Sequence, residues 1–177
     1  MKTKARLLKM TSITLIIMMV FTMFFTGCEN KSKESAGSDM TSIEVARLMG
    51  NGINLGNTME AYGHTATSNT LPASSFENLW GQPTTTQAIV DGMKEAGFDT
   101  LRVPVAWTNG MAYETGDYTI SEALLNRIDE IIGYAMNCDM YVIINDHWDG
   151  GWWGMFGSEN EETRTKAMDM YISMWEQ

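Results

Sequence analysis

Seven side chains in this sequence have the shape and chemistry to hold a neutral sugar. Five of the six tryptophans and both histidines fall in segments that follow apolar, strand-like runs. An indole is a flat apolar plate on which the C–H face of a pyranose can stack, and a histidine can hydrogen-bond the surrounding hydroxyls. The pattern therefore predicts a cleft lined with aromatic plates, although these segments could instead pack against one another. The residues are Trp80, Trp107, Trp148, Trp152, Trp153, His64 and His147.

Other kinds of site fit the sequence poorly. Asp146, His147 and Asp149 are close together, but their spacing matches no familiar set of metal ligands. The glycines at 52 and 150–151 fit neither a phosphate-binding loop nor a dinucleotide-binding fingerprint. The sequence therefore predicts no metal and no cofactor.

The charge of the chain narrows the choice of partner. The 177 residues carry 12 Lys and Arg against 22 Asp and Glu, a formal net charge of -10. Four of the basic residues lie within residues 1–27, which contain no acidic residue. The remainder is more acidic still, so it is predicted to repel nucleic acid and to suit a neutral substrate. The two cysteines do not form a disulfide-rich scaffold, and Cys138, between apolar segments, is predicted to be a buried, unreactive thiol.

The N-terminus has the pattern of an export signal. A basic start is followed by an apolar run over residues 10–25, which is shorter than the roughly 20 residues of a membrane span. Small residues precede Cys28, as at the cleavage site of bacterial lipoproteins, although Phe25 stands where a leucine is usual. We expect a lipoprotein signal over residues 1–27, a lipidated Cys28 and a polar tether over residues 28–40. The protein would then be exported and held at the cell surface; ordinary cleavage with secretion, or an uncleaved anchor, are the alternatives.

The rest of the chain, residues 41–177, alternates between helix-like and strand-like segments. Capping boxes that begin at Thr41, Thr84 and Ser158 predict helix starts, and Ser121 precedes another helix. Apolar runs predict strands over residues 53–57, 100–105 and 141–144. Alternation of this kind is typical of a parallel α/β sheet. The predicted buried stripes of the helices are Ile89, Val90, Met93 and Ala96; Leu124, Leu125, Ile128, Ile131, Ile132 and Ala135; and Ala167, Met170, Tyr171, Met174 and Trp175.

The predicted connections are unequal in length. Helices lead into strands through a few residues, whereas strands lead into helices through residues 58–83, 107–119 and 146–158. In α/β folds the loops beyond the carboxyl ends of the strands build the binding site. The tryptophans and histidines lie in these loops or at the strand ends, so they are predicted to share one face of the molecule.

Four segments, in order, resemble the glycoside hydrolase family 5 cellulases. Residues 52–58 resemble their first barrel strand, and residues 80–85 the segment before their first barrel helix. Residues 96–105 resemble the second strand, and residues 142–148 the third, which ends in Asn-x-His. The resemblance covers about residues 41–177 and implies an α/β fold in which about three βα units belong to a (β/α)8 barrel. It also implies an endo-acting, cellulase-like enzyme that hydrolyses β-1,4-linked polysaccharide with retention.

The resemblance also assigns roles to single residues. Arg102 matches the arginine beneath the nucleophile, where a guanidinium keeps a carboxylate ionised and oriented. His147 matches the histidine that hydrogen-bonds sugar hydroxyls beside the cleaved bond. A structural ion pair for Arg102 and a satisfied loop histidine for His147 are the alternatives. The predicted substrate-binding residues are Asn57, His64, Trp80, Trp107 and Trp148, of which Trp148 stands where many members have a second histidine.

Neither catalytic carboxylate of the family is found in the sequence. The family's acid/base Glu precedes a proline, but the three prolines here follow Leu71, Gln82 and Val103. The family's nucleophile comes from the seventh strand, and such a barrel needs about 250 residues. We expect both Glu to lie beyond residue 177, the fragment to be inactive, and residues 41–177 not to fold stably alone.

Two other functions remain open from the sequence. One is a non-catalytic, carbohydrate-binding surface lipoprotein on a barrel scaffold. The other is a surface structural protein without a ligand. The choice of substrate among cellulose, mixed-linkage glucan, xyloglucan and mannan is also open, because these share β-1,4 linkages and differ in the loops that recognise them.

Overall fold

The computed structural model describes residues 40–63, 70–112 and 116–177, of which Ser42–Gln177 form one unit. The expected signal and tether, with Cys28, lie outside the described residues, as does His64. Among the described helices none is long and apolar enough to cross a membrane.

Helices and strands alternate along the described residues, as the sequence predicts. Each strand is followed by a long segment that contains a short helix or a 3₁₀ turn, and then by a longer helix. In chain order the elements are α1 (Ser42–Leu48), β1 (Gly52–Asn54), α2 (Ser74–Glu77), α3 (Gln87–Glu95), β2 (Thr100–Val105), a first 3₁₀ turn (Trp107–Gly110), α4 (Glu122–Asn137), β3 (Tyr141–Asp146), a second 3₁₀ turn (Asp149–Gly157) and α5 (Glu161–Glu176).

The three strands form one parallel sheet in the order β1-β2-β3. Arg102 in β2 lies in register with Asn54 of β1 and Ile143 of β3. All the side chains of the central strand except that of Arg102 are buried. The carboxyl ends of all three strands meet at one edge of the sheet, which is the edge where the sequence places the site.

The core lies around β2 and the inward faces of the helices. Helix α3 packs on α4, α4 packs on β3, and α5 packs on the second 3₁₀ turn. Helix α4 begins at Ser121, whose side chain accepts a hydrogen bond from the Leu124 amide, as its position before the stripe predicts. The fully buried stripe residues are Val90, Leu124, Ile128, Ile131, Ala135, Ala167, Met170 and Met174.

Two predicted helix starts are wrong by two residues. The N-cap of α3 is Thr86 and not Thr84, and the N-cap of α5 is Asn160 and not Ser158. The Asn160 side chain accepts from the Glu162 amide at 2.8 Å, so it satisfies the helix end in place of the serine. Two acceptable capping residues stand close together in each segment, and the tertiary packing selects one.

Strand lengths differ from the prediction at both edges of the sheet. β1 ends at Asn54 because Asn57 adopts a left-handed conformation, with φ of 61°, and its amide donates to Glu60 at 2.6 Å. β3 continues to Asp146 because its last two residues pair with Pro104 and Val105 of β2. The turn α2 was missed, since four residues are too few to show a helical period.

Four side chains predicted to be buried are not. Ala96, Tyr171 and Trp175 are exposed, although they lie on the predicted stripes. The Cys138 thiol is only partly buried and donates to Asp91 at 3.0 Å. That hydrogen bond, followed by burial, raises the pKa of the Cys138 thiol, which agrees with the expected lack of reactivity.

Candidate functional site

The side chain of Arg102, from the middle of β2, links the carboxyl ends of β1 and β3. Its Nη1 donates to Asn54 Oδ1 of β1 at 3.0 Å. Its Nη2 lies 3.3 Å from His147 Nδ1, directly after β3. Arg102 is half-buried and its two partners are exposed, so the cluster is open to solvent.

The contact with Arg102 indicates which tautomer of His147 fits this cluster. A guanidinium carries only donors, so His147 Nδ1 must accept and the ring proton must lie on Nε2. The His147 amide donates to the Val105 carbonyl at 2.9 Å, which places the residue at the end of the sheet. The imidazole therefore presents an N–H donor, the group that a sugar hydroxyl needs.

Exposed indoles lie beside this cluster. Trp148 is 58% exposed, and its ring meets Trp153 edge to face with centroids 6.4 Å apart. The Trp153 indole N–H donates to the Trp148 carbonyl at 3.2 Å, which holds the two residues together. A sugar ring could stack on either indole.

Trp80 approaches the same face from the segment after β1. It is 47% exposed, and its indole N–H donates to the Tyr62 carbonyl at 3.0 Å. Tyr62 in turn lies against the second 3₁₀ turn: a Cβ built on Gly150 would be 2.6 Å from its hydroxyl. Two of the three long segments are thus in contact at this edge.

The remaining predicted site residues are placed less favourably. Trp107 is only 6% exposed and packs edge to face on Trp175 at 6.2 Å, so its ring is not an open plate here. Asn57 is exposed in the turn after β1. His64 belongs to the residues that the structure leaves undescribed. Trp152 is also buried and packs on Phe156 of the same turn, which is the alternative of aromatic residues packing within the loops.

Two carboxyl groups flank His147 and Trp148, and of these Asp149 is buried and Asp146 is partly buried. Asp149 accepts from the Thr108 amide at 3.0 and 3.1 Å and from the Thr108 hydroxyl. Asp146 accepts from the Trp152 indole N–H at 3.1 Å. Burial, opposed by the Thr108 bonds and reinforced by the charge of Asp146, raises the pKa of Asp149 to about 8. Burial also raises the pKa of Asp146.

Sequence reasoning missed several residues of this site. Asn54 lies within a motif segment, but its contact with Arg102 follows from strand register, which a single sequence does not display. Trp153 was counted among the aromatic residues but given no role. Asp149 was considered only as a metal ligand, and in the described part of the chain no cluster of His, Cys, Asp and Glu could hold a metal ion.

Comparisons with known proteins identify the kind of barrel to which these elements belong. A family model described as cellulase (glycosyl hydrolase family 5) matches residues 59–177. Endoglucanase B of Clostridium cellulovorans is 37% identical over 165 residues, which are 92% of this chain and 34% of that protein. A xyloglucan-specific endo-beta-1,4-glucanase of Bacteroides ovatus is 34% identical over 139 residues, 78% of this chain and 26% of that protein.

Solved structures give the same result. A broad-specificity endoglucanase from Ruminococcus champanellensis, with bound cellotriose, matches with a TM-score of 0.67 at 31% identity over 77% of this chain and 38% of that chain. A broad-specificity endoglucanase from Clostridium acetobutylicum matches with a TM-score of 0.63 at 36% identity, over 77% of this chain and 36% of that chain. The chain thus spans about a third of the length of these relatives.

The parallel sheet and its helices are therefore part of a (β/α)8 barrel, with the predicted site at the carboxyl ends of its strands. The chain belongs to glycoside hydrolase family 5. Both the fold and the family expected from the four sequence motifs are confirmed.

Proposed function

We propose that these residues are part of an endo-acting β-1,4-glucanase that hydrolyses its substrate with retention. The observation that carries the proposal is the Arg102 cluster, because one side chain contacts Asn54 and His147 at the carboxyl ends of neighbouring strands. In a barrel of this family that edge of the sheet is the place for a glycosidase site. Two relatives are named as an endoglucanase and an endo-beta-1,4-glucanase, which supports the same substrate class.

The proposed mechanism needs two carboxyl groups about 5–5.5 Å apart, one as acid/base and one as nucleophile. We propose that both come from later βα units of the complete enzyme, since the chain spans about a third of the length of its relatives. Arg102 would hold the nucleophile ionised by charge-assisted hydrogen bonds. It would act as a positioning residue while it remains bonded to Asn54.

The remaining side chains of the cleft would bind the glucan. His147 Nε2–H would donate to a sugar hydroxyl, because its Nδ1 is engaged by Arg102. Trp148 and Trp80 would stack on glucosyl rings, and Trp153 would support Trp148. Cellotriose, bound in the structure of one relative, is a probe of suitable size for this cleft.

The test is hydrolysis of soluble β-1,4-glucan by the complete enzyme. An endo-acting enzyme lowers the viscosity of the glucan faster than it releases reducing ends. Proton NMR of the first product should show the β-anomer, as retention requires. Release of the α-anomer would contradict the mechanism, and absence of any hydrolysis would contradict the activity.

A non-catalytic, carbohydrate-binding protein is the second candidate, and the exposed Trp148 and Trp153 pair favours it as well. Tryptophan fluorescence would change on addition of cello-oligosaccharides in both cases. Only the glucanase would also release shorter products. Parallel assays on cellulose, mixed-linkage glucan, xyloglucan and mannan would define the substrate.

We also propose that the protein is a lipoprotein, exported and anchored at the cell surface through Cys28. The proposal rests on the basic and apolar segments before Cys28 and the polar residues after it. Labelled fatty acid fed to the native host should enter the wild-type protein. Cys28→Ala should abolish labelling and either release the protein or leave its precursor uncut. Equal labelling of wild type and variant would contradict the proposal.

A further inference from the structure

The chain that follows β3 has an unusual backbone. Trp148, Asp149, Gly150 and Gly151 all have positive φ, at 53°, 41°, 69° and 76°. The conformation is ordinary for the two glycines, but for Trp148 and Asp149 it is strained, because the Cβ of an L-residue crowds the backbone there. Strain of this kind persists only where the surrounding structure enforces it.

The Asp149 side chain holds the segment in this strained conformation. It is 1% exposed and accepts the Thr108 amide and hydroxyl, which ties the segment after β3 to the first 3₁₀ turn after β2. Asp146 is bonded to the Trp152 indole, further along the second 3₁₀ turn. His147 and Trp148, which are both exposed, are therefore held between two anchored carboxyl groups.

The two carboxyl groups also act on each other, since the charge of Asp146 helps to raise the pKa of Asp149, and Asp146 Oδ1 is buried without a donor among the described residues. Two ionised carboxylates can only accept hydrogen bonds, so a bond that satisfies this oxygen from Asp149 requires a proton on Asp149. The titratable group beside them on the same segment is His147, whereas Thr108 and Trp152 are neutral partners from the neighbouring turns. Tyr62 reaches the segment from the other side, at Gly150.

We propose that Asp149, hydrogen-bonded through its own proton to Asp146, is a positioning residue that holds His147 and Trp148 in the geometry needed to bind the glucan. The role rests on the proposed function but does not require either group to touch the substrate. In its protonated state Asp149 donates to Asp146 while its other oxygen accepts from Thr108. Loss of that proton places two charges in a buried pocket and removes the bond between them.

Three variants of the complete enzyme test this role. Asp149→Asn keeps the shape of the side chain and can both donate to Asp146 and accept from Thr108, so it imitates the protonated acid. Asp149→Ala removes every bond. Asp129→Asn, which changes an exposed carboxylate on α4, is the matched control.

The expected result at pH 7 is a contrast between the two substitutions. Asp149→Ala should lower kcat/KM on cello-oligosaccharides by about 10- to 100-fold, because small misplacements of binding groups have effects of that size. Much of the loss should appear as a higher KM. The kcat/KM of Asp149→Asn should stay within about threefold of the wild-type value, because the amide can donate to Asp146 and accept from Thr108 as the protonated acid does. Equal losses in both variants, or no loss in a folded Asp149→Ala variant, would overturn the proposal.

A second readout needs neither substrate nor activity. Tryptophan fluorescence of the wild type should change between about pH 7 and 9, since the pKa of Asp149 is raised to about 8 and Trp148 and Trp152 lie beside the pair. Asp149→Asn should lack this change and Asp129→Asn should retain it. A change that persists in Asp149→Asn would overturn the proposal. If the wild type shows the change but does not hydrolyse glucan, the proposed function fails and the positioning of this segment stands.

Discussion

At the scale of single residues, the Arg102 guanidinium is hydrogen-bonded to Asn54 and His147 in the described part of the chain, and neither partner is a carboxylate. A guanidinium that uses two of its donors in this way still has further N–H groups for an anion. These donors would be available to the carboxylate that we propose as the nucleophile of the complete enzyme. The ion pairs recorded for the described residues do not include Arg102.

Replacement of Arg102 should therefore affect the chemical step more than binding. Arg102→Ala in the complete enzyme should lower kcat with a smaller change in KM, because the nucleophile loses its charge-assisted hydrogen bonds. Arg102→Lys should recover only part of kcat, since an ammonium cannot reproduce the planar fork. Steady-state kinetics on β-1,4-glucan measures both values, and an unchanged kcat in a folded Arg102→Ala variant would contradict the role.

His147 should show a different signature. His147→Ala removes an oriented donor and should lower kcat/KM by about 10²-fold, the size seen when one oriented donor is lost. The loss should be similar on polymer and on short cello-oligosaccharides, because the contact is at the reacting sugar. A loss confined to the polymer would place His147 in a distal part of the cleft.

Sequence reasoning located some of these side chains better than others. Arg102 and His147 could be predicted because each belongs to a motif at the end of a strand. Trp107 and Trp148 look alike in the sequence, yet one is buried and the other exposed. The difference arises from Trp175 of α5, which packs on Trp107 but not on the exposed indole of Trp148. Contacts between distant segments of this kind leave no local pattern.

At the scale of elements, the second 3₁₀ turn is fixed where it meets Tyr62. Gly150→Ala should reduce the free energy of unfolding by about 1–2 kcal/mol from its positive φ, with a further loss from the clash with Tyr62. Gly154→Ala is the control, because a Cβ at Gly154 would meet no atom within 4 Å. Urea unfolding of the complete protein measures the free energy of unfolding of the two variants. Equal midpoints for the two variants would show that the turn does not depend on this contact.

Helix α2 is tied to α4 by a buried ion pair. Arg127 donates to both oxygens of Glu77, at 2.9 and 2.8 Å, and Glu77 is 1% exposed. The Thr85 amide also donates to Glu77, at 2.7 Å. The short helix α2, which has too few residues to be stable by itself, is held in place by these bonds.

Glu77→Ala should cost about 1.5–3 kcal/mol, less than for a fully isolated buried charge, because Arg127 keeps its ion pair with Glu130 and its bond to the Thr85 carbonyl. Burial alone would raise the pKa of Glu77, but the Arg127 and Thr85 bonds outweigh it and lower the pKa. The ionised Glu77 carboxylate therefore contributes its full stabilisation above pH 4.5, its ordinary pKa. This contribution is lost as the pH falls through the lowered pKa of the folded protein. The melting temperature of wild type should fall more steeply below pH 4.5 than that of Glu77→Gln. Glu95→Gln, at an exposed position on α3, should keep the wild-type slope.

At the scale of the whole molecule, large apolar side chains lie exposed on β3 and α5. Tyr141 and Ile143 belong to β3, and Tyr171, Ile172 and Trp175 to α5. Faces of this type are normally covered in a closed barrel. Exposure on this scale agrees with the expectation that residues 41–177 do not form a stable domain alone.

The prediction for residues 41–177 as an isolated protein is a broad thermal transition and strong binding of a hydrophobic dye. The cause is apolar surface left in water, which removes part of the free energy that drives folding. Differential scanning calorimetry and dye fluorescence measure the two properties. A sharp, cooperative transition without dye binding would contradict the prediction.

The order of the strands also bears on how the sheet assembles. Strands β2 and β3 each pair with the strand that precedes them in the sequence. The bonded residues Asn54 and Arg102 are 48 residues apart, and Thr108 and Asp149 are 41 residues apart. Loop closure entropy depends only weakly on length, so the two pairings are almost equally costly to form. The relative stability of the strands then depends on burial, which favours β2, because only Arg102 in that strand is not fully buried. In residues 41–177 studied as an isolated protein, the backbone amides of β2 should consequently exchange with deuterium later than those of β1 and β3.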